Sequence, residues 1–120
     1  MPAAPYTLKF HAGQRVRRRW RVGPRGGPWW DFTGWGLHAQ ARTGAGLLVA
    51  DLSSDAGGGI TLADGGTRVV FTIAESVAAT FAPGGCYRWD LWARSPDGGF
   101  NEPLLAGPVV VLPSVTRAAP

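Results

Sequence analysis

Hydrophobic and polar residues alternate along most of the chain in short runs, which are separated by glycine, proline, serine or aspartate. In Thr67–Ile73 the odd positions form one face and the even positions the other, which is the two-residue period of a β-strand. Asp64-Gly65-Gly66 precedes this run and supplies the positive-φ residues that a tight turn needs. We therefore predict a hairpin formed by Ile60–Leu62 and Thr67–Ile73.

The same pattern predicts further strands on both sides of the hairpin. They are Tyr6–Phe10, Gln14–Val22, Trp35–Arg42, Leu47–Leu52, Cys86–Arg94, Phe100–Leu105 and Pro108–Leu112. The alanine and glutamate residues of segment 74–80 favour a short helical crossing between two sheets. About eight short strands with one helical crossing and frequent turns predict an all-β sandwich or a small barrel.

The length of 120 residues fits one domain. We expect residues 1–5 to be a flexible lead-in, residues 6–112 to form a single β-sandwich domain and residues 113–120 to form a flexible tail. Hydrophobic residues make up 45% of the chain, which is enough for a core, so the 18 glycines and 10 prolines indicate turns and not disorder. No apolar run approaches the ~20 residues that span a bilayer, and no membrane contact is expected.

The net charge of +4 is distributed unevenly along the chain. Residues 1–30 contain seven basic residues and no acidic residue, whereas residues 31–120 contain five basic and eight acidic residues. The N-terminal part of the domain is therefore expected to meet an acidic partner or solvent.

Most of this positive charge lies on one face of a predicted strand. In Gln14–Val22 the odd positions are Arg15, Arg17, Arg19 and Arg21. Val16, Trp20 and Val22 face the core, with Arg18 among them. Three interpretations fit the row of guanidinium groups. In decreasing order of preference they are a solvated face, an interface with an acidic protein surface and a nucleic-acid contact. Arg25 extends the basic segment into the following loop and is included in the candidate interface.

Three tryptophans surround the predicted Asp31–Gly34 turn. Trp29, Trp30 and Trp35 are assigned as anchors of the core or of a subunit interface, with a sugar-stacking platform as the alternative. We include all three in the candidate interface.

The remaining reactive residues form no pattern typical of catalysis or metal binding. His11 and His38 have no second ligand at a metal-binding spacing, and the serines lack a nucleophile elbow. Cys86 has no neighbouring histidine, and it is expected to be an inert thiol buried in a strand. Asp90 lies beside Arg88 in a strand and is assigned to a cross-strand ion pair. We therefore expect no enzymatic activity, no cofactor and no metal.

Several segments together resemble a known family. They are DFTGWGLHAQAR, the segment from LLVADLSS to SPDGG, and LLAGPVVVLPSVTR. Their order of DFTG turn, GGITL hairpin, GGCYRWDL strand and PDGG hairpin resembles that of small β-sandwich domains in tailed-phage virions. These are collar, tail-fibre-attachment and upper-baseplate domains, and the resemblance covers roughly residues 6–117.

The resemblance implies an immunoglobulin-like antiparallel β-sandwich and a non-enzymatic structural protein. It implies a place in the virion, in a tail, collar, baseplate or fibre attachment, after synthesis in the host cytoplasm. The expected partners are other virion proteins and copies of the chain itself, and a nucleic acid is not expected. The alternatives are a capsid decoration protein and a module that binds host glycans. The family brings no catalytic residues to this chain.

Overall fold

The computed structural model describes residues 3–23 and 26–113. Within these residues the strands are β1 (Ala4–Pro5), β2 (Leu8–His11), β3 (Val16–Arg21), β4 (Gly36–Thr43), β5 (Leu48–Ser53), β6 (Ile60–Ala63), β7 (Arg68–Ile73), β8 (Tyr87–Arg94) and β9 (Asn101–Leu112). A 3₁₀ turn, Asp64–Gly66, joins β6 to β7, and a single-turn helix, α1 (Glu75–Ala78), lies between β7 and β8.

The strands form two packed sheets. The large sheet has the order β9-β8-β4-β5, and both β1 and β2 pair with the free side of β9; the small sheet has the order β3-β7-β6. Strands β3 to β9 take the places of strands B, C, C′, D, E, F and G of an immunoglobulin-like sandwich. The predicted all-β sandwich is confirmed. The expectation of purely antiparallel pairing is wrong for β1 and β2, which run parallel to β9.

An aromatic cluster joins the two sheets in the interior. Trp20 of β3 stacks on Trp89 of β8, with 5.6 Å between the ring centroids and 21° between the ring planes. Tyr6 contacts both indoles edge-on, at centroid distances of 5.2 Å and 5.9 Å. The indole N–H of Trp89 donates a hydrogen bond of 3.0 Å to the Tyr6 carbonyl oxygen. The one polar group of this buried side chain therefore has a hydrogen-bond partner.

The connection between β7 and β8 is pinned by a tyrosine. At the start of β8, the hydroxyl of Tyr87 accepts a hydrogen bond of 2.7 Å from the backbone N–H of Ala82. This is the bond of the tyrosine corner found at the same place in immunoglobulin-like sandwiches. The helix α1 lies in this connection, inside the segment 74–80 that was predicted to cross between the sheets.

The two strands predicted over Phe100–Leu105 and Pro108–Leu112 are one strand, β9. The strand continues through Ala106 and Gly107 because both pair with β8. Position 107 has no room for a side chain, because a Cβ atom there would overlap the Tyr6 carbonyl oxygen. Ala4–Pro5, expected to be part of a flexible lead-in, form β1 against β9. Residues 1–2 of that lead-in and residues 114–120 of the expected tail lie outside the described residues.

The DFTG turn closes one end of the sandwich. One carboxylate oxygen of Asp31 accepts hydrogen bonds from the hydroxyl of Thr33 at 2.6 Å and from its backbone N–H at 2.9 Å. These two bonds hold the pKa of Asp31 below its ordinary value of 3.8. The fully buried Phe32 donates its backbone N–H to the Gly66 carbonyl oxygen at 2.9 Å, so the turn is fastened to the hairpin.

Two adjacent glycines of the hairpin give a matched test of this contact. Gly65 and Gly66 both have positive φ, +71° and +100°, but only a Cβ atom on Gly66 would overlap the side chains of Asp31 and Thr33. We expect Gly65→Ala to cost about 1 kcal/mol of unfolding free energy, because an L-residue is disfavoured at positive φ. Gly66→Ala should cost about 1–3 kcal/mol more, because the Asp31 turn must shift. Urea unfolding of both variants measures the difference, and equal losses would show that the turn does not depend on this packing.

Candidate functional site

Strand β3 is an edge strand of the small sheet, and its outward side carries the predicted arginines. Arg17, Arg19 and Arg21 are exposed, whereas Val16 is fully buried and Trp20 is half-buried toward the core. The alternation of inward and outward side chains that the sequence predicts is therefore the one that β3 shows. Arg15 is exposed one residue before β3 begins, and Arg25 lies outside the described residues.

A fourth arginine joins this surface from the neighbouring strand. Arg68 of β7 pairs with Arg21 of β3 in the antiparallel register. We call the surface formed by Arg17, Arg19, Arg21 and Arg68 the arginine face. Sequence periodicity could not include Arg68, because its place beside Arg21 depends on the β3–β7 register.

The charges of the arginine face are not equivalent. Asp64 accepts hydrogen bonds through the same carboxylate oxygen from Arg68 at 2.6 Å and from Arg21 at 2.8 Å. Arg68, which has the larger effect, and Arg21 together hold the pKa of Asp64 below its ordinary value of 3.8. Arg17 and Arg19, in contrast, make no ion pair with any residue that the structure describes. Within the described part of the chain, two guanidinium groups without an ion pair therefore extend from the same side of β3, from Cα atoms about 7 Å apart along the strand.

An apolar residue lies beneath these charges. Val70 of β7 pairs with Arg19, points outward with it and is only 5% exposed. Arg17, Arg19 and Arg68 line an open depression of about 650 Å³ whose floor includes Val70. The aliphatic parts of arginine side chains cover apolar surface while the charged ends stay in water. The face is therefore a shallow cationic surface with a small apolar centre.

Arg18 also lines this depression, but its guanidinium group has backbone partners. Its guanidinium group donates hydrogen bonds to the carbonyl oxygen of Lys9 at 2.6 Å and to that of Arg17 at 2.9 Å. Lys9 belongs to β2, which pairs with the large sheet, so Arg18 fastens the edge of the small sheet to the edge of the large one. This structural role explains an arginine at an inward position of β3.

The three tryptophans of the candidate interface are divided between the core and the surface. Trp30 and Trp35 are half-buried and contact Phe100 at centroid distances of 5.6 Å and 5.5 Å. Both also contact the buried Phe32. Trp29 is 52% exposed. The anchor assignment fits Trp30 and Trp35, and the three indoles do not form one exposed platform.

Two assignments made for residues near β8 are wrong. Cys86 is exposed, because β8 begins only at Tyr87 and the preceding Pro-Gly-Gly turn holds Cys86 outside the sandwich. Asp90 makes no ion pair among the described residues. The register places Asp90 opposite Gln40 and Ala106 instead of opposite a basic residue.

The structure also contains a cleft that the sequence did not predict. It lies on the outward face of the large sheet, where His38 of β4 pairs with Trp92 of β8 and with Ser53 of β5. His38 Nε2 is hydrogen-bonded to Asp51 Oδ1, and both side chains are 50% exposed. The cleft has a volume of about 610 Å³, and Gly36 leaves space beside His38 because it has no side chain. We call this site the Trp92 cleft.

A histidine bonded to an aspartate is a familiar acid–base arrangement, but the partners needed for catalysis are missing from the described residues. There, no hydroxyl or thiol is bonded to the His38 ring, and the nearby Ser54 hydroxyl accepts the Leu37 N–H at 2.9 Å. No group of three His, Cys, Asp or Glu side chains could hold a metal ion in that part of the chain. The cleft therefore offers binding groups and no assembled nucleophile.

The alternation of β4 identified His38 as an outward residue, but nothing in the sequence placed Asp51 or Trp92 beside it. Those neighbours come from the β4–β5 and β4–β8 registers, which join segments 13 and 54 residues apart. A predicted strand pairing would have been the signal needed to find the cleft.

Comparison with known proteins shows that neither a protein-family model nor a curated protein matches this chain. The class of the molecule is therefore defined by its fold, an all-β sandwich of two sheets. Over residues 3–23 and 26–113, no helix has the length and apolar character needed to cross a membrane. Functional inference depends on the arginine face and the Trp92 cleft.

The ion pairs of Asp64 predict a specific pH dependence of stability. Folding lowers the pKa of Asp64, so the ionised carboxylate stabilises the folded state fully above about pH 3.8, the ordinary pKa. This stabilisation is lost as the pH falls through the lower pKa of the folded state. We expect Asp64→Asn to be less stable than the parent at pH 7, and the gap to close in strong acid. Urea unfolding between pH 7 and pH 2 measures this gap. Asp55→Asn, at an exposed carboxylate without an ion pair in the described residues, is the control; a gap that stays constant with pH would contradict the assignment.

The exposure of Cys86 has a direct chemical consequence. We expect its thiol to react with Ellman's reagent in the folded protein at a rate within about tenfold of that in urea, because burial and not thiolate chemistry makes most structural cysteines inert. Absorbance of the released thionitrobenzoate measures the rate. Reaction only after unfolding would show that Cys86 is buried after all.

Proposed function

We propose that this chain is a non-enzymatic structural subunit of a tailed-phage virion, in a tail, collar, baseplate or fibre attachment. In this proposal the arginine face binds an acidic surface on a neighbouring virion protein or on another copy of the chain. The single observation that carries the binding assignment is that Arg17 and Arg19, on the outward side of an edge strand, make no ion pair within residues 3–23 and 26–113. The virion assignment depends on the resemblance of the sequence segments described above.

The shape of the arginine face favours a protein partner. Its depression is open and shallow, and Val70 offers an apolar centre inside a ring of charge. Protein interfaces commonly have an apolar centre, and arginine is enriched in them because it binds carboxylates in bidentate geometry.

The charge distribution argues against a nucleic acid. Asp64 lies at one end of the face and is bonded to two of its four arginines. A nucleic-acid backbone would meet this carboxylate close to the guanidinium groups that should bind its phosphates. A protein that contacts about six to ten phosphates neutralises roughly three to five times as many as Arg17 and Arg19 would at one phosphate each.

The same arginines also determine how a partner can approach β3. An unpaired edge strand is a template for strand addition, and charged residues on such an edge oppose this addition. The partner therefore contacts the outward arginine side chains and leaves the backbone edge of β3 unpaired. An acidic patch satisfies this geometry, because its carboxylates can bind Arg17 and Arg19 without sheet formation.

A double substitution tests the arginine face in assembly. Arg17→Gln with Arg19→Gln removes both free charges and keeps much of the side-chain cover over Val70. We expect incorporation into particles to fall at least about tenfold, since each charged hydrogen bond contributes about 1.5–3 kcal/mol. Quantitative immunoblotting of purified particles measures incorporation. The soluble double variant is purified as well, to show that it still folds.

Lys9→Gln with Arg88→Gln is the matched control, because it removes the same charge from exposed positions on the large sheet. Incorporation of this control should stay near the parent level. Equal loss in both double variants would show that total charge matters and the arginine face does not. Immunogold labelling of particles tests the wider proposal. A particle without label on any part would overturn the virion assignment.

A further inference from the structure

We propose that the Trp92 cleft is a saccharide-binding site, in which the Trp92 indole stacks on a sugar ring and the surrounding polar side chains bind its hydroxyl groups. This inference is independent of the arginine face. It concerns the opposite outer surface of the sandwich, on the large sheet.

Trp92 differs from the other tryptophans of the sheets. It is 39% exposed at a central position of the large sheet, whereas Trp20 and Trp89 stack on each other in the interior. Among the described residues, Trp92 makes no ring contact with another aromatic side chain. Its indole therefore offers a free apolar surface on a strand that is paired on both sides.

Polar groups of both kinds surround this indole. Arg94 and Asn101 can donate hydrogen bonds from one side of the cleft, and Asp51 and Asp55 can accept them from the other. A sugar hydroxyl both donates and accepts, so a mixed set of this kind suits a polyhydroxylated ligand better than an apolar one. The volume of about 610 Å³ is within the usual range of ligand sites.

The charges of the cleft limit the class of saccharide. Among the described residues that line it, Asp51 and Asp55 outnumber Arg94, the one permanently charged cation. An anionic ligand would meet two carboxylates and one guanidinium group, so the balance opposes phosphorylated or acidic sugars. A neutral sugar or an amino sugar fits the cleft.

Two of the groups around the cleft lie on central strands of the large sheet. Trp92 and His38 occupy paired positions of the central strands β8 and β4. The bond from His38 to Asp51 orients the carboxylate on the edge strand β5. Binding groups that are held in place before the ligand arrives lose less entropy on binding.

The position of the cleft leaves the arginine face free. The outward surfaces of two packed sheets point away from each other, so both can be occupied at once. The earlier alternative of a glycan platform at Trp29, Trp30 and Trp35 is replaced by this site, since Trp30 and Trp35 pack on Phe100 and Phe32.

An array of neutral, amino and acidic oligosaccharides, probed with the purified full chain, is the first test. We expect binding to members of the neutral or amino classes and none to the acidic class. Calorimetric titration with an oligosaccharide that bound on the array then compares the affinities of the variants. Trp92→Ala should weaken binding about tenfold, or about 1.4 kcal/mol, because it removes the apolar surface on which the sugar ring stacks.

Trp29→Ala is the matched control, because it removes an exposed indole that does not line the cleft, and its affinity should stay within about twofold of the parent. Asn101→Ala is a second cleft variant at an exposed residue and should also weaken binding, which keeps the test valid if Trp92→Ala fails to fold. An array without neutral or amino hits overturns the proposal. Undiminished binding by folded Trp92→Ala, or a loss seen only with Trp29→Ala, overturns it as well.

Discussion

The stack of Trp20 on Trp89 is the contact on which the rest of the molecule depends. It joins the edge strand β3 to the central strand β8, and Tyr6 closes it from the side. Large buried aromatic side chains contribute most to the energy of small cores. Because Trp20 must point inward, the two-residue period forces its neighbours outward, and the arginines of β3 become a surface. The same stack fixes β8, and Trp92, three residues later, lies on the opposite outward face.

The sandwich therefore has two chemically different outer surfaces. The small sheet presents free guanidinium groups around the apolar Val70, and Asp64 neutralises one end of this face. The large sheet presents an exposed indole among carboxylates, a guanidinium group and an amide. In the two proposals made above, the chemistry of the first surface suits an acidic protein surface and that of the second suits a neutral polyhydroxylated molecule.

The predictions that agree with the structure concern neighbours in sequence. The hairpin through Asp64–Gly66, the DFTG turn and the crossing that contains α1 depend on local conformational preference and on alternation. The predictions that were wrong required knowledge of distant neighbours. Ala106 and Gly107 do not separate two strands, because both pair with β8, and Asp90 lies opposite Gln40 instead of an arginine. Cys86 was placed in a strand that begins one residue later, which moved its thiol from the core to the surface.

The sequence by itself determined the all-β class, most strand positions and which arginines share the outward side of β3. These properties follow from the period of two and from the turn residues, and both act within a few residues of chain. Only the tertiary structure decided that Arg68 joins those arginines, that Asp64 neutralises two of them and that His38, Asp51 and Trp92 meet in a cleft. The physical reason is register: a shift of one residue between paired strands changes every cross-strand neighbour, and register is fixed by the packing of the whole core.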